Sequence, residues 1–472
     1  MADAGIAAAR PLEGVSKHVA TGSIMLATIL TGLDSTIANV ALPQIQRSLG
    51  VSQDAVVMVL TSYVVATAIA TPLVGWLAGR LGRKALYLLS IAGFTGASIG
   101  CGAATTLTLL VWARIAQGVF GAALIPLSQA LILDINPQEN HARALSHWGA
   151  GVMLGPILGP VIGGLVGQWQ GWRWVFYVNV PVGLLAFSGV ALWIGRTAAA
   201  RARPFDVVGF ITLSAAVGFL QTVLDTGQQT GWFRAPRIVA ATAIAVVAFA
   251  LFVRHVMRTP TGGFFERRLL ADLNYVTGLC FTAIVGIVLF ATRALLPQLL
   301  VHVEQYSIVA TGLLMAPTGV GTLAAMLAAG AVIKRIDPRR LMASGFLVAS
   351  LALLELCLLE RPVLPASIIV SGTLLGVGLG LIFAPLNAAT FATLNAGLRA
   401  DGAAIFALAR NVGSSAGVAL MQSLLTRFTE ANLATRAWAD AAFAAYLTDF
   451  RLLLAINLVA IPWVWVMKYR RA

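Results

Sequence analysis

Runs of about twenty apolar residues, separated by short polar or basic stretches, recur along the whole of this 472-residue chain. A helix of ~20 residues at 1.5 Å per residue crosses the ~30 Å hydrocarbon core of a bilayer. The runs are 19–43, 55–78, 85–104, 106–130, 144–168 and 172–195, then 207–225 and 236–256. After them come 273–301, 309–333, 341–359, 364–392, 403–425 and 449–467. The chain is 59% hydrophobic and only 11% charged, where soluble domains carry roughly 25% charged residues. A soluble fold would have to bury almost every helix on all sides. The expectation is an all-α integral membrane protein with 14 transmembrane helices.

The net charge of +14 suggests a polyanion partner only until its distribution is read. Basic residues cluster between the apolar runs, as at Arg80/Arg83/Lys84, Arg254/Arg258/Arg267/Arg268 and Lys334/Arg335/Arg339/Arg340. No single basic face emerges, which excludes nucleic acid as a partner. With both termini cytoplasmic, 21 Lys and Arg fall on that side, eight fall outside and three (Arg114, Arg293, Arg410) lie within spans. That bias orients the chain. The first run is longer than the roughly 7–15 residues of a signal-peptide core, so it reads as a retained span.

No nucleotide-binding loop, HExxH, CxxC or nucleophile elbow is present, so an enzyme is not expected. Cys101, Cys280 and Cys357 lie in apolar runs without paired spacing, and the histidines form no ligand set; no metal site is expected. The glycines of GVGLG (376–380) follow no strand and read as helix packing.

The chain echoes itself. Leu42-Pro43-Gln44 returns as Leu296-Pro297-Gln298, the basic loop 75–84 returns at 330–340, and Pro126-Leu127 returns as Pro385-Leu386, all in the same order. The arrangement reads as a six-helix bundle (1–195), an inserted helix pair with a basic linker (196–258) and a second six-helix bundle (259–472). Two pseudo-repeated bundles facing a central pathway are a transporter architecture.

Certain residues do not belong in hydrocarbon. Asp34, in LDSTIANVALP (33–43), sits ~13 Å from the outer end of the first span, and Arg114 sits ~12 Å inside the fourth. An ionised side chain at such depth costs on the order of 3 kcal/mol on insertion scales, so a pair at matched depth marks a pathway or a structural ion pair. Glu355, near the outer end of the eleventh span, is the second candidate acid. In the fifth span, Gly151, Gly155, Gly159 and Gly163 clear one helix face at a four-residue period, and Pro156 and Pro160 remove backbone donors there. This reads as a hinge or seal, or as ordinary small-residue packing. In GWLAGRLGRK (75–84), Gly75 and Gly82 permit close turns, and Arg80, Arg83 and Lys84 can bond the terminal carbonyls of nearby helices.

Together these stretches resemble the fourteen-span drug:proton antiporters of the major facilitator superfamily, especially Emr-type multidrug exporters. LDSTIANVALP is similar to that family's first-span motif, GWLAGRLGRK to the superfamily's loop signature, and RIAQG (114–118) to its fourth-span motif. GPILGPVIGG (155–164) is similar to the exporters' fifth-span motif, and WRWVFYVNVPVG (172–183) to the start of the sixth span. Two departures stand out. Gly79 occupies the position of the loop's usual acidic residue, and the connection 426–448 is short beside that of Emr-type exporters.

The resemblance implies proton-coupled export of hydrophobic or amphipathic compounds from the bacterial inner membrane. The proton gradient would drive it without a cofactor. It also implies a periplasmic adaptor and an outer-membrane channel as partners. Asp34, Arg114 and Glu355 are the proton-coupling candidates. The cavity between the halves would offer Asn39, Gln117, Ser128, Gln129 and Asn387 as polar points, with Phe120 and Phe383 as aromatic walls. Two other readings remain: dedicated export of one metabolite, such as a siderophore or fatty acid, and a membrane receptor without transport.

Overall fold

The structure is a computed structural model and describes residues 14–195, 205–227, 230–258, 268–333, 335–394, 398–433 and 437–467. Of the expected basic-loop residues, Arg267 and Lys334 lie outside the described residues.

Among the described residues every regular element is helical. The first part comprises α1 (Gly14–Leu49), α2 (Gln53–Val56), α3 (Met58–Ala70), α4 (Leu73–Leu81), α5 (Arg83–Ala103), α6 (Leu107–Gly121), α7 (Leu124–Asp134), α8 (His141–Gln170), α9 (Trp172–Tyr177) and α10 (Asn179–Trp193). Next come α11 (Val207–Thr226) and α12 (Pro236–Arg258). The second part comprises α13 (Arg268–Ala271), α14 (Leu273–Gln298), α15 (Ile308–Val332), α16 (Pro338–Cys357), α17 (Pro365–Phe391), α18 (Arg399–Leu433) and α19 (Trp438–Trp463). A π-helical turn, Leu299–Val303, extends α14. Polar side chains start several of these helices: Thr106, Asp206, Asp272 and Ser307 each accept a bond from a backbone N–H three residues on.

Twelve helices among the described residues are long and apolar enough to cross a membrane. A thirteenth span forms if α3 and α4, bent by 58°, are taken as one. The expected run 144–168 falls in α8, which at 30 residues is ~45 Å long. The last span differs from expectation. It begins at Trp438 rather than 449, so most of the connection expected at 426–448 is helix, shared between the end of α18 and the start of α19.

In the first part α1 packs on α8 and α10, and α6 on α3 and α5; in the second, α17 packs on α15 and α16, and α18 on α14 and α19. The two parts meet through α8 with α15 and α17, α7 with α18, and α4 with α18. These contacts include Ser146 against Gly330 and Asp401 against Gly75, near the end of the bundle that carries Arg83 and Arg399. We call this the basic end. The inserted α11 packs on α12, α3 and α18, touching both parts. On the periphery Trp112, Leu185, Leu192, Val246 and Phe249 are exposed, as lipid-facing side chains must be in a chain whose backbone groups are satisfied within helices.

Candidate functional site

Asp34 lies in the middle of α1 and is only 2% exposed. The Arg114 guanidinium of α6 reaches it, Nη1 donating to Asp34 Oδ2 at 2.5 Å. Two amides complete the carboxylate's shell: Gln117 Nε2 donates to Oδ1 at 2.8 Å, and Asn179 Nδ2 of α10 donates to the same oxygen at 2.9 Å. Arg114 also donates through Nε to the Val59 carbonyl at 3.0 Å and through Nη1 to Gln117 Oε1 at 2.6 Å. Its guanidinium carbon stands 4.3 Å from the Tyr63 ring centroid, close enough for a cation–π contact. One nitrogen, Nη2, has no partner among the described residues. A buried ion pair persists only when its geometry is good and further hydrogen bonds offset desolvation. This cluster provides most of those bonds, with Asn179 Oδ1 joining Arg114 Nη2 in lacking a partner among the described residues.

The glycine ladder faces the helix that carries that acid. A Cβ at Gly155 would come within 2.8 Å of the Ile29 carbonyl oxygen and the Leu33 nitrogen, and one at Gly163 within 3.3 Å of Ile37 Cα. Gly159 faces Thr36, and Gly151 faces Met25. All four therefore clear the surface of α8 against α1, the helix that carries Asp34. Pro156 and Pro160 fall within α8, but their side chains lie outside the described residues.

The remaining expected residues separate into groups. Gln129 Nε2 of α7 donates to Asn387 Oδ1 of α17 at 2.8 Å, a buried bond that joins the two parts. Asn387 in turn donates to the Phe383 carbonyl at 2.7 Å. Ser128 accepts from Trp148 Nε1 at 2.8 Å and donates to the Ile125 carbonyl. The structure places the residues expected to line the cavity as follows. Gln117 serves the charge cluster. Phe120 lies against Gly93 of α5, where the missing Cβ lets the ring sink into the α5–α6 seam. Ser128 and Phe383 are buried in the packed interior. Asn39 is exposed on α1, as is Ser35 one turn before it. Glu355 lies half-buried on α16 and shares no hydrogen bond or ion pair with Asp34 or Arg114 among the described residues.

The basic loop makes the bonds its chemistry allows. Gly82, at φ +82°, separates α4 from α5, a conformation that favours glycine. Arg83 forms a buried ion pair with Asp134 at the end of α7, and Arg399 Nη1 of α18 lies 4.0 Å from the same carboxylate. Lys84 Nζ donates to the Ala191 carbonyl at 2.8 Å and the Ile194 carbonyl at 2.5 Å, closing the last turn of α10. Arg80 stands over the Trp76 ring. The acid absent at Gly79 has a counterpart from the other part of the molecule: the Asp401 carboxylate of α18 rests against Gly75, leaving no room for a side chain there.

The family model described as Major Facilitator Superfamily matches residues 24–418. The chain belongs to the major facilitator superfamily. It is 34% identical over 340 residues to the multidrug export protein EmrB of Escherichia coli K12, a match covering 72% of this chain and 66% of EmrB. The chain thus spans just under two thirds of that relative's length. It is 31% identical over 426 residues to the fatty acid resistance protein FarB of Neisseria gonorrhoeae, covering 88% of this chain and 82% of FarB. The fold matches the proton:xylose symporter XylE with a TM-score of 0.65 at 14% identity, covering 94% of this chain and 96% of XylE. The likeness to Emr-type exporters read from the motifs is therefore present along most of the sequence, and the chain is a multi-pass membrane protein of this superfamily.

For a transporter of this superfamily, two residues missed in the sequence matter most. Asn179 lies within WRWVFYVNVPVG, 145 positions from the carboxylate it contacts. It could have been singled out as the only amide in that apolar stretch. Asp449, fully buried on α19, was hidden by placing the start of the last span at that residue.

Proposed function

We propose that the protein is a proton-coupled antiporter that exports hydrophobic or amphipathic compounds by alternating access. Its halves are residues 1–195 and 259–472, with 196–258 inserted between them. The observation that carries this reading is the Asp34 carboxylate, buried within one half and held by Arg114, Gln117 and Asn179. A proton and the Arg114 cation compete to neutralise the same carboxylate. Protonation frees Arg114 from its pair; deprotonation restores it. A carboxylate whose charge is exchanged in this way links proton occupancy to the packing of α1 against α6 and α10. The second candidate acid, Glu355, has no such connection.

The basic end is assigned to the cytoplasm of a bacterial inner membrane, because cationic loops stay on that side. The halves touch there through Gln129–Asn387 and Asp401–Gly75, so this conformation is closed to the cytoplasm. Substrate would enter from an opening at that end once those contacts part. An adaptor and an outer-membrane channel would dock at the opposite end.

FarB favours a second reading, since it is named for resistance to fatty acids: dedicated export of one amphipathic metabolite. Purified protein in vesicles with an imposed pH gradient separates the two. Gradient-driven movement of several unrelated hydrophobic cations supports multidrug export, and movement of fatty acids alone supports the second. No movement of either under the gradient defeats proton-coupled export.

A further inference from the structure

Asp449 has 0% of its surface exposed, and neither carboxylate oxygen has a hydrogen-bond partner among the described residues. It belongs to the inward stripe of α19 that runs through Ala442, Tyr446, Asp449, Leu453 and Asn457, residues that share one helix face by their three- and four-residue spacing. On one side of it along that stripe, Asn457 donates to the Phe346 carbonyl and to Ser350 Oγ of α16, each at 2.8 Å. On the other side, Ala442 and Tyr446 line a crevice of 430 Å³ between α18, α19 and the π-helical turn after α14. Exposed Glu430, Trp438 and His302 also line it, so it reaches the protein surface. The acid therefore sits one turn beneath the floor of an open crevice, at the end of the molecule opposite the basic loops.

No charge pairs with it among the described residues. Toward this end the packed elements carry Glu355 and Cys357 on α16, Arg427 and Glu430 on α18, Arg293 on α14 and His302 in the π turn. On α19 itself stand Asp440, Tyr446 and Arg451. None of them pairs with or hydrogen-bonds to Asp449 among the described residues. Arg361, which reaches the first turn of α19, is engaged by Glu304 and Asp440. An ionised carboxyl with no partner is not sustained in such surroundings, and the group neutralises instead.

We propose that Asp449 is a second proton-binding carboxyl of the transport cycle, loaded through the crevice floored by Tyr446. The proposal rests on the antiport reading above. The step forms one O–H bond: a hydronium ion in the crevice gives its proton to the carboxylate and leaves as water. Asp34 and Asp449 would then bind protons in opposite halves by different means. Asp34 exchanges a proton against Arg114, and Asp449 binds one because no cation is available.

The test uses the full-length protein in lipid nanodiscs and in vesicles. Infrared difference spectra across a pH step should show the carbonyl stretch of a protonated carboxyl. Asp449→Asn should lose a band that Asp34→Asn and Glu355→Gln retain, and Asp449→Glu should restore it at a shifted frequency. In vesicles, Asp449→Asn should lower the protons moved per substrate molecule. An unchanged spectrum in Asp449→Asn overturns the proposal, as does an undiminished proton count. If Asp449→Asn proves unstable, the Asp449→Glu band decides: a shifted band supports the assignment, and an unshifted one overturns it. Failure of the antiport reading looks different, because wild-type vesicles would then show no pH-driven movement at all.

Discussion

Asp34 and Asp449 are the same side chain in two similar settings, each buried on the inward face of a long apolar helix. Each half also sets an asparagine amide on a serine hydroxyl, Asn179 of α10 on Ser98 of α5 in one and Asn457 of α19 on Ser350 of α16 in the other. The acids nevertheless differ completely in company. Asp34 lies inside its asparagine's network and accepts three side-chain bonds, one of them from a cation. Asp449 lies eight residues, or ~12 Å, from Asn457 and accepts none. Related helical frames thus carry unlike company: one half holds a carboxylate paired with a cation, the other a carboxyl without a partner among the described residues.

The largest expected effect is at Asp34. Asp34→Asn keeps size and hydrogen bonding but cannot exchange a proton, so pH-driven accumulation of substrate in vesicles should be lost. Asp34→Glu should retain part of it, and binding should persist in the Asn variant, with cationic substrates weakened more than neutral ones. Accumulation by Asp34→Asn that stays proton-dependent would shift the switching role to the other half and reverse the comparison.

Next comes Arg114. Removing one partner of a buried pair costs about 3–5 kcal/mol, because the other charge is left uncompensated. Arg114→Ala should therefore lower thermal stability strongly in wild-type background and much less in Asp34→Asn. Equal losses in the two backgrounds would mean that Arg114 acts through its Val59 carbonyl bond and Tyr63 contact, not through Asp34.

The parts of this site that announced themselves in the sequence were those whose polarity conflicts with hydrocarbon: Asp34, Arg114 and the cationic loop. The glycine period of the fifth span was equally legible, because spacing alone puts four missing side chains on one face. Partners were less so. Gln117 lies on the Arg114 face by helical spacing, but spacing does not say whether that face meets a cavity or an acid. The neighbour of Phe120 was illegible for a similar reason, since only the packed structure shows that its ring lies against Gly93. Asp449 escaped because Asp449 and Arg451 lower local hydropathy, and burial beneath neighbouring helices leaves no trace in a hydropathy window.

The two halves also carry parallel glycine ladders, which gives a third comparison. On α8, Gly155 presses on the backbone of α1; on α17, Gly376 and Gly380 press on the backbone of α15 around Thr318 and Thr322. An added methyl in either seam overpacks it at a cost of typically 1–3 kcal/mol. Gly155→Ala should reduce transport more than stability predicts, because α1 carries Asp34. Gly376→Ala should reduce stability alone. Gly164→Ala is the control, since nothing lies within 4 Å of a Cβ there. Equal transport losses for Gly155→Ala and Gly376→Ala at matched expression would reduce both ladders to packing.

The smallest expected effect lies where the halves meet. Gln129 and Asn387 share one neutral hydrogen bond across the closed end, and such a bond contributes about 1 kcal/mol net. Replacing both by Leu removes the bond without leaving one amide stranded, whereas Gln129→Leu alone leaves Asn387 Oδ1 without its donor. The single variant should therefore shift the population toward the form open at the basic end by about fivefold, the equivalent of ~1 kcal/mol. The double variant should shift it less. Spin labels on α7 and α18, read as a distance distribution, measure that population directly. If the double variant opens as far as the single one, the bond itself favours the closed form. If neither variant moves the distribution, closure rests on the Asp401–Gly75 contact and the α8–α15 packing, and the amide pair does no more than satisfy two buried polar groups.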